Sequence, residues 1–168
     1  YLTLYAGFAS GADIILLPEQ DYSLKVVCDK VDEIMKSGKR YVIIAVSEAA
    51  KEKGGEETIA MLVKDSFEQK RYGGVSQKLA AQIEQLTGYE TRATILGHIQ
   101  RGGEPTTSDI ILGARLGNAA CKLLISGEPG YIVGIKGGTV VKMAFPKERV
   151  PRILNIDSDD LCRTARDM

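Results

Sequence analysis

The chain holds one histidine, three cysteines and no net charge, 22 Lys+Arg standing against 22 Asp+Glu. A zinc site needs more ligands than this, and Cys28, Cys121 and Cys162 lie far apart with no C-x-x-C spacing. Scattered thiols in odd number suit a reducing compartment rather than a disulfide framework. The charge balance excludes bulk attraction to nucleic acid, anionic lipid or an acidic partner, so any anion site is local. No secretory h-region is recognisable, and no apolar run approaches the ~18 residues of a membrane span. A cytoplasmic, soluble protein is the expectation.

Nucleotide motifs are missing as well. Neither G-x-x-x-x-G-K-[ST] nor a strand-following G-x-G-x-x-G occurs. Gly54-Gly55 is followed by Glu56-Glu57, whose charges would repel a polyphosphate, and no strand-end pair of aspartates suggests a magnesium site. The residues therefore offer no phosphoryl-donor machinery and no metal ligands.

What is present is an ordinary globular composition, 44% apolar over 168 residues, enough for one core. Tyr1 to Ser10 has the character of an apolar helix interior with no N-cap before it, so the chain is expected to be cut from something longer. Ala12–Leu17 and Tyr41–Val46 are short apolar runs of the kind found in strands buried on both faces. Between them Ser23 caps a helix whose apolar positions are Leu24, Val27, Val31, Ile34 and Met35, ended by Gly38. This βαβ order predicts a parallel sheet with a right-handed crossover.

Further along, a surface excursion with some helix is expected around Thr58–Phe67. A helix follows between Gly74 and Gly88 on Val75, Leu79, Ala80, Ile83 and Leu86, then a third strand over Arg92–Leu96. Thr107 or Ser108 would cap a long helix to Ser126, whose Gly113, Gly117 and Ala120 stripe implies close approach of another element. Tyr131–Ile135 and Thr139–Met143 form a hairpin about Gly137-Gly138, and a last helix starts near Asp157. The fold class expected is a three-layer, Rossmann-like α/β lobe: a parallel sheet, helices on both faces and a C-terminal hairpin, with residues 1–168 as a single lobe.

In such sheets ligands bind beyond the carboxyl ends of the strands. Glu48 follows the second strand; His98 and Arg101 follow the third, with Gly102-Gly103 beside them. A guanidinium fork, an imidazole and approachable backbone N–H groups suit one phosphate, and Glu48 suits hydroxyls. Singly, each residue is also compatible with a plain role: a loop histidine, a glycine turn, a capping glutamate. Arg92 starts the third strand, about 20 Å from His98 at ~3.3 Å per residue. It is either a surface ion-pair partner or a contributor to a neighbouring subunit's site.

The segment Gly97-His98-Ile99-Gln100-Arg101-Gly102-Gly103, with Pro105 and Asp109, resembles the 6-phosphofructokinase family. Tyr1-Leu2, Ser10-Gly11-Ala12-Asp13, Leu17-Pro18-Glu19 and Ala45-Val46-Ser47-Glu48 are similar to family segments in the same order. The resemblance implies the C-terminal, fructose 6-phosphate-binding half of a subunit, with the N-terminal phosphoryl-donor half and its catalytic and Mg2+-binding residues absent here. It implies that His98 and Arg101 bind the sugar phosphate, Glu48 the sugar hydroxyls, and Arg92 the 6-phosphate in a neighbouring subunit of a dimer or homotetramer. Glu19 and Lys39 resemble residues of an effector site that allosteric members build with a nearby arginine, but the position two before Lys39 is Ser37, and the family's common Asp-Arg after the glycine pair is Asp109-Ile110, a change expected to bear on a subunit contact.

The implied activity is glycolytic phosphorylation of the 1-hydroxyl of fructose 6-phosphate, using ATP and Mg2+, with the isolated fragment inactive. Tyr72-Gly73-Gly74-Val75-Ser76 resembles subgroups that include pyrophosphate users, so a pyrophosphate-dependent phosphotransferase is the alternative donor reading. A non-catalytic sugar-phosphate-sensing or subunit-interaction module is the third. A glycine-rich donor loop and an aspartate cluster upstream of Tyr1 would separate enzyme from module.

Overall fold

The computed structural model describes residues 1–55, 59–62, 70–148 and 153–167. They divide into two units, Tyr1–Ile95 with Ile153–Met168, and Leu96–Arg152.

In the first unit, α1 (Leu2–Ala9) leads to β1 (Ile14–Leu16), α2 (Leu24–Lys36) and β2 (Ile44–Val46). The two strands pair in parallel, Ile14 opposite Ile44 and Leu16 opposite Val46, as the βαβ pattern predicts. Successive side chains of a strand point to opposite faces. Ile14 and Leu16 accordingly join Val27, Cys28, Val75, Leu79 and Ile83, whereas Ile15 and Leu17 join Leu4, Leu154 and Cys162. Helices therefore cover both faces: α2 with α3 (Val75–Thr87) on one side, and α1 with α5 (Asp160–Asp167) on the other. This is the expected three-layer α/β arrangement. Burial is less complete than the apolar runs suggest, because with two strands in the sheet each is an edge: Leu16 is buried, but all of β2 is only half-buried.

Three local expectations change. In the excursion, β3 (Ile59–Leu62) and β4 (Lys70–Tyr72) pair antiparallel where part of a helix was anticipated, because the ladder satisfies their backbone groups; Thr58 and residues 63–67 lie outside the described residues. Arg92–Leu96 is not a strand: no described segment supplies it a ladder, and Ile95 and Leu96 are exposed. In α3, Val75, Leu79 and Ile83 are buried as the spacing requires, but Leu86 points to solvent.

Asp13 fixes the entry to the sheet. Its carboxylate accepts the Ile43 N–H at 2.9 Å and pairs with Lys39, tying the start of β1 to the approach to β2. Burial pushes this carboxyl up, but the Lys39 hydrogen bond, the Ile43 amide and the Lys39 charge outweigh it, so the net pKa lies below its ordinary 3.8. A folded-state pKa lower than the unfolded one stabilises the fold above the unfolded value, and that contribution is lost as pH falls through the folded value. The stability difference between wild type and Asp13→Asn is therefore expected to be full near neutrality and to close below about pH 4. Urea unfolding across that range measures it; a pH-independent difference would refute the carboxylate's role.

In the second unit, α4 (Thr107–Ile125) is followed by β5 (Tyr131–Lys136) and β6 (Thr139–Ala144), an antiparallel hairpin with Gly137-Gly138 as its two-residue turn. Both turn glycines have positive φ, 56° and 78°, which is why glycine is needed there. The cap of α4 is Thr106, not Thr107 or Ser108. Its side chain accepts the Asp109 N–H while Asp109 accepts the Thr106 N–H at 2.9 Å, a reciprocal box that only this register allows. The hairpin packs on α4, and Arg115 donates to the Gly138 carbonyl at 2.6 Å. The small-residue stripe does not meet the expected neighbour among the described residues: a Cβ on Gly113 or Gly117 would touch none of them within 4 Å.

Candidate functional site

The most distinctive segment of the sequence forms a 3-10 helix, Gly97–Arg101, between Gly97 and Gly103, whose φ values are 53° and 97°. Three residues per turn make positions i and i+3 eclipse. His98 and Arg101 therefore leave the backbone on the same side. Both are exposed, and neither makes a hydrogen bond or ion pair among the described residues. The backbone is held from within, Ile99 N–H donating to Leu96 and Gly102 N–H to Ile99, each at 3.1 Å. An imidazole beside a guanidinium fork, both uncommitted, can receive a dianionic oxygen group with several donors. Sequence spacing alone did not reveal this eclipse, because it depends on a 3-10 rather than an α or extended backbone.

The other candidates belong to the first unit. Glu48 sits exposed in the turn at the carboxyl end of β2, a turn set by Ser47 N–H donating to Leu16 and Ala50 N–H to Ser47, both at 3.0 Å. That is the strand-end position its sequence context indicates. Arg92 holds Glu90 through Nε at 2.8 Å and Nη2 at 2.5 Å, an exposed ion pair between near neighbours. Such pairs are worth ~0–1 kcal/mol, so a phosphate could displace Glu90 cheaply. The 20 Å separation of Arg92 from His98 assumed a strand that does not form.

Glu19 and Lys39 keep different partners. Glu19 accepts the Leu154 N–H at 3.3 Å through Oε1, with Oε2 buried and unpartnered among the described residues, whereas Lys39 pairs with Asp13 and lies 5.3 Å from the centroid of the Tyr41 ring. Asp13 is thus the acidic partner of Lys39 that sequence reading missed. The signal was there: Asp13 and Ile43 each immediately precede one of two strands paired in parallel. A cavity between α1 and α5, edged by Asp13, Gln20 and Arg166, contains none of Glu48, Arg92, His98 or Arg101. No group of His, Cys, Asp or Glu among the described residues could hold a metal ion. No helix among them is long and apolar enough to cross a membrane.

The parallel strand pair of the first unit, covered by helices on both faces, defines the class: a Rossmann-like α/β fold. Residues 1–124 match the phosphofructokinase family model, and the chain belongs to that family. It is 43% identical to ATP-dependent 6-phosphofructokinase 2 of Clostridium perfringens over 168 residues, covering 99% of this chain and 46% of that protein. It is 36% identical to ATP-dependent 6-phosphofructokinase 1 of Synechocystis sp. over 167 residues, covering 99% and 45%. To the pyrophosphate--fructose 6-phosphate 1-phosphotransferase of Amycolatopsis methanolica it is 39% identical over 144 residues, covering 85% and 42%. The chain spans about half the length of the curated relatives it matches. In fold it is similar to the pyrophosphate-dependent phosphofructokinase from Marinobacter aquaeolei, with a TM-score of 0.58 and 17% identity over 79% of this chain and 31% of that one.

Proposed function

We propose that this chain is the fructose 6-phosphate-binding half of a cytoplasmic 6-phosphofructokinase, in which the 1-hydroxyl of the sugar receives a phosphoryl group in glycolysis. The observation that carries this reading is the pair His98 and Arg101, eclipsed on one side of the 3-10 helix with no competing partner among the described residues. They hold the 6-phosphate by charge-assisted hydrogen bonds, and Glu48 accepts from sugar hydroxyls. Binding at the phosphate end orients the far hydroxyl without touching it, which is the positioning part of phosphoryl transfer. The described residues do not gather the carboxylates that Mg2+ needs, and donor and metal are assigned to the part of the protein beyond this chain. ATP is the donor named for the 43% identical Clostridium relative, which matches along nearly the whole chain, and pyrophosphate is the second reading, supported by the 39% identical Amycolatopsis relative.

Titration of the full-length protein with fructose 6-phosphate, fructose and inorganic phosphate tests the site. Saturable binding of fructose 6-phosphate well above either fragment molecule is expected; equal affinity for fructose would overturn it. Parallel assays with ATP and with pyrophosphate identify the donor.

Arg92 is assigned to a neighbouring subunit's 6-phosphate in a dimer or tetramer. Neither Arg92→Ala nor Arg101→Ala subunits should bind the sugar phosphate well alone. Mixed oligomers are expected to recover a fraction of sites, because one site in a hybrid inherits both arginines. Absence of recovery in verified hybrids counts against sharing.

A further inference from the structure

Arg92 is already engaged by an acid of its own chain. Its Nε and Nη2 both donate to one oxygen of Glu90, Oε1, at 2.8 and 2.5 Å. Those two nitrogens form a forked edge of the guanidinium, the kind of edge that receives two oxygens of a phosphate. Glu90 therefore occupies a face of Arg92 that an anion would use. The Arg92 and Glu90 side chains are 85% and 71% exposed, so a group from outside the chain can reach the pair.

The backbone beneath the pair is pinned. Thr91, between the two charged residues, is half-buried; its N–H donates to Glu84 Oε2 at 3.3 Å and its hydroxyl to the Tyr89 carbonyl at 2.9 Å. The Tyr89 N–H donates to Thr87 Oγ1 at 3.3 Å, and the Thr87 hydroxyl donates at 2.7 Å to the carbonyl of Ile83, a buried residue of α3. This run of bonds ties residues 87–91 to the last turns of α3. Glu84 is committed to the backbone, which leaves Glu90 as the acid committed to the guanidinium. Two positions apart on a pinned segment, Glu90 meets Arg92 at a high local concentration however dilute the protein is.

We infer that Glu90 is an internal competitor for Arg92, a carboxylate that stands in for the sugar phosphate and lowers the affinity for it. The inference rests on the reading of Arg92 as a contact of the 6-phosphate. An exposed pair of this kind is favoured over its open form by about one- to fivefold. Arg92 is then free for about a half to a sixth of the time, and the apparent dissociation constant is raised by the inverse of that fraction. A phosphate monoester carries about twice the charge of a carboxylate and more acceptor oxygens, so it displaces Glu90. Removing a competitor has the opposite sign from removing a binding residue: sugar-phosphate binding should tighten.

Four full-length proteins test this, namely wild type, Glu90→Gln, Arg92→Ala and the double variant, assayed at constant ionic strength with fructose 6-phosphate varied. Glu90→Gln keeps the size of the side chain and is expected to lower KM about two- to sixfold with kcat unchanged. Arg92→Ala is expected to raise KM, and adding Glu90→Gln to it should change nothing further, since no guanidinium is left to compete for. An unchanged or raised KM in Glu90→Gln overturns the inference, and leaves Arg92 as a phosphate contact if its own substitution still raises KM. An equal drop in both backgrounds overturns it too, because the effect is then that of a deleted negative charge rather than a freed guanidinium. An unchanged KM in Arg92→Ala removes the 6-phosphate reading of Arg92, and the inference with it.

Discussion

Replacing His98 and Arg101 together by alanine in the full-length protein is expected, on the proposed function, to raise the fructose 6-phosphate KM by about 10²- to 10⁴-fold. Each charge-assisted contact to the phosphate is worth ~1.5–3 kcal/mol, so two contribute ~3–6 kcal/mol, less any coupling between groups bound to one anion. The effect is expected on KM more than on kcat, because on the proposed reading both side chains hold the end of the sugar remote from the reacting 1-hydroxyl. Neither residue is buried or bonded to the rest of the described chain, so thermal stability should hold within about 0.5 kcal/mol. That separation makes the result diagnostic. Arg101→Lys keeps the charge but not the planar fork, and should fall between wild type and alanine. Steady-state kinetics with the sugar varied decides it, and an unchanged KM in the double variant removes the site assignment.

Leu4→Ala is expected to destabilise the protein by about 2–5 kcal/mol, a large share of the ~5–15 kcal/mol that holds a domain folded. Leu4 is 1% exposed and sits where α1, the end of β1 and the returning C-terminal segment meet, packed with Leu17, Leu154 and Cys162. The cavity cannot relax easily. Next to it, Gly7 already brings α1 so close to the sheet that a Cβ there would lie 2.9 Å from Ile15 Cγ1 and 3.1 Å from the Ala45 Cβ. The cost has two parts, lost burial and residual void. Leu86→Ala is the control: Leu86 continues the helical apolar spacing of α3 but is 62% exposed, and its loss should cost no more than about 0.5 kcal/mol. Urea unfolding of the two variants measures the contrast, and equal effects would contradict the packing described.

Much of the layer structure was legible in the chain because it is locally encoded. Ser23 caps α2 by accepting the Val26 N–H, β1 and β2 pair in parallel as βαβ order demands, and Gly137-Gly138 turns the hairpin where two apolar runs flank it. The failures are of one kind. Arg92–Leu96 has the composition of a strand, yet a strand exists only when a second one offers its ladder, and that partner is not local. The stripe of Gly113 and Gly117 suggested close packing, yet no described element approaches it, because spacing along one helix does not bring a second element to it.

The site divides the same way. Gly97 to Gly103 was conspicuous from composition alone, since a histidine, an arginine and paired glycines rarely coincide, and the family resemblance rests on those residues. That His98 and Arg101 share one side is a consequence of three residues per turn, which the backbone chose. Glu48 followed from its place after an apolar run. Lys39, by contrast, pairs with Asp13, because parallel pairing brings the entries of β1 and β2 together, while Glu19 lies beside Leu154. Residue types and spacing, then, determined the chemistry on offer: few metal ligands, no bulk charge, one basic turn suited to a phosphate. The tertiary structure decided which side chains meet and which stay open, because ladders and ion pairs join residues tens of positions apart, and only the folded backbone sets those distances.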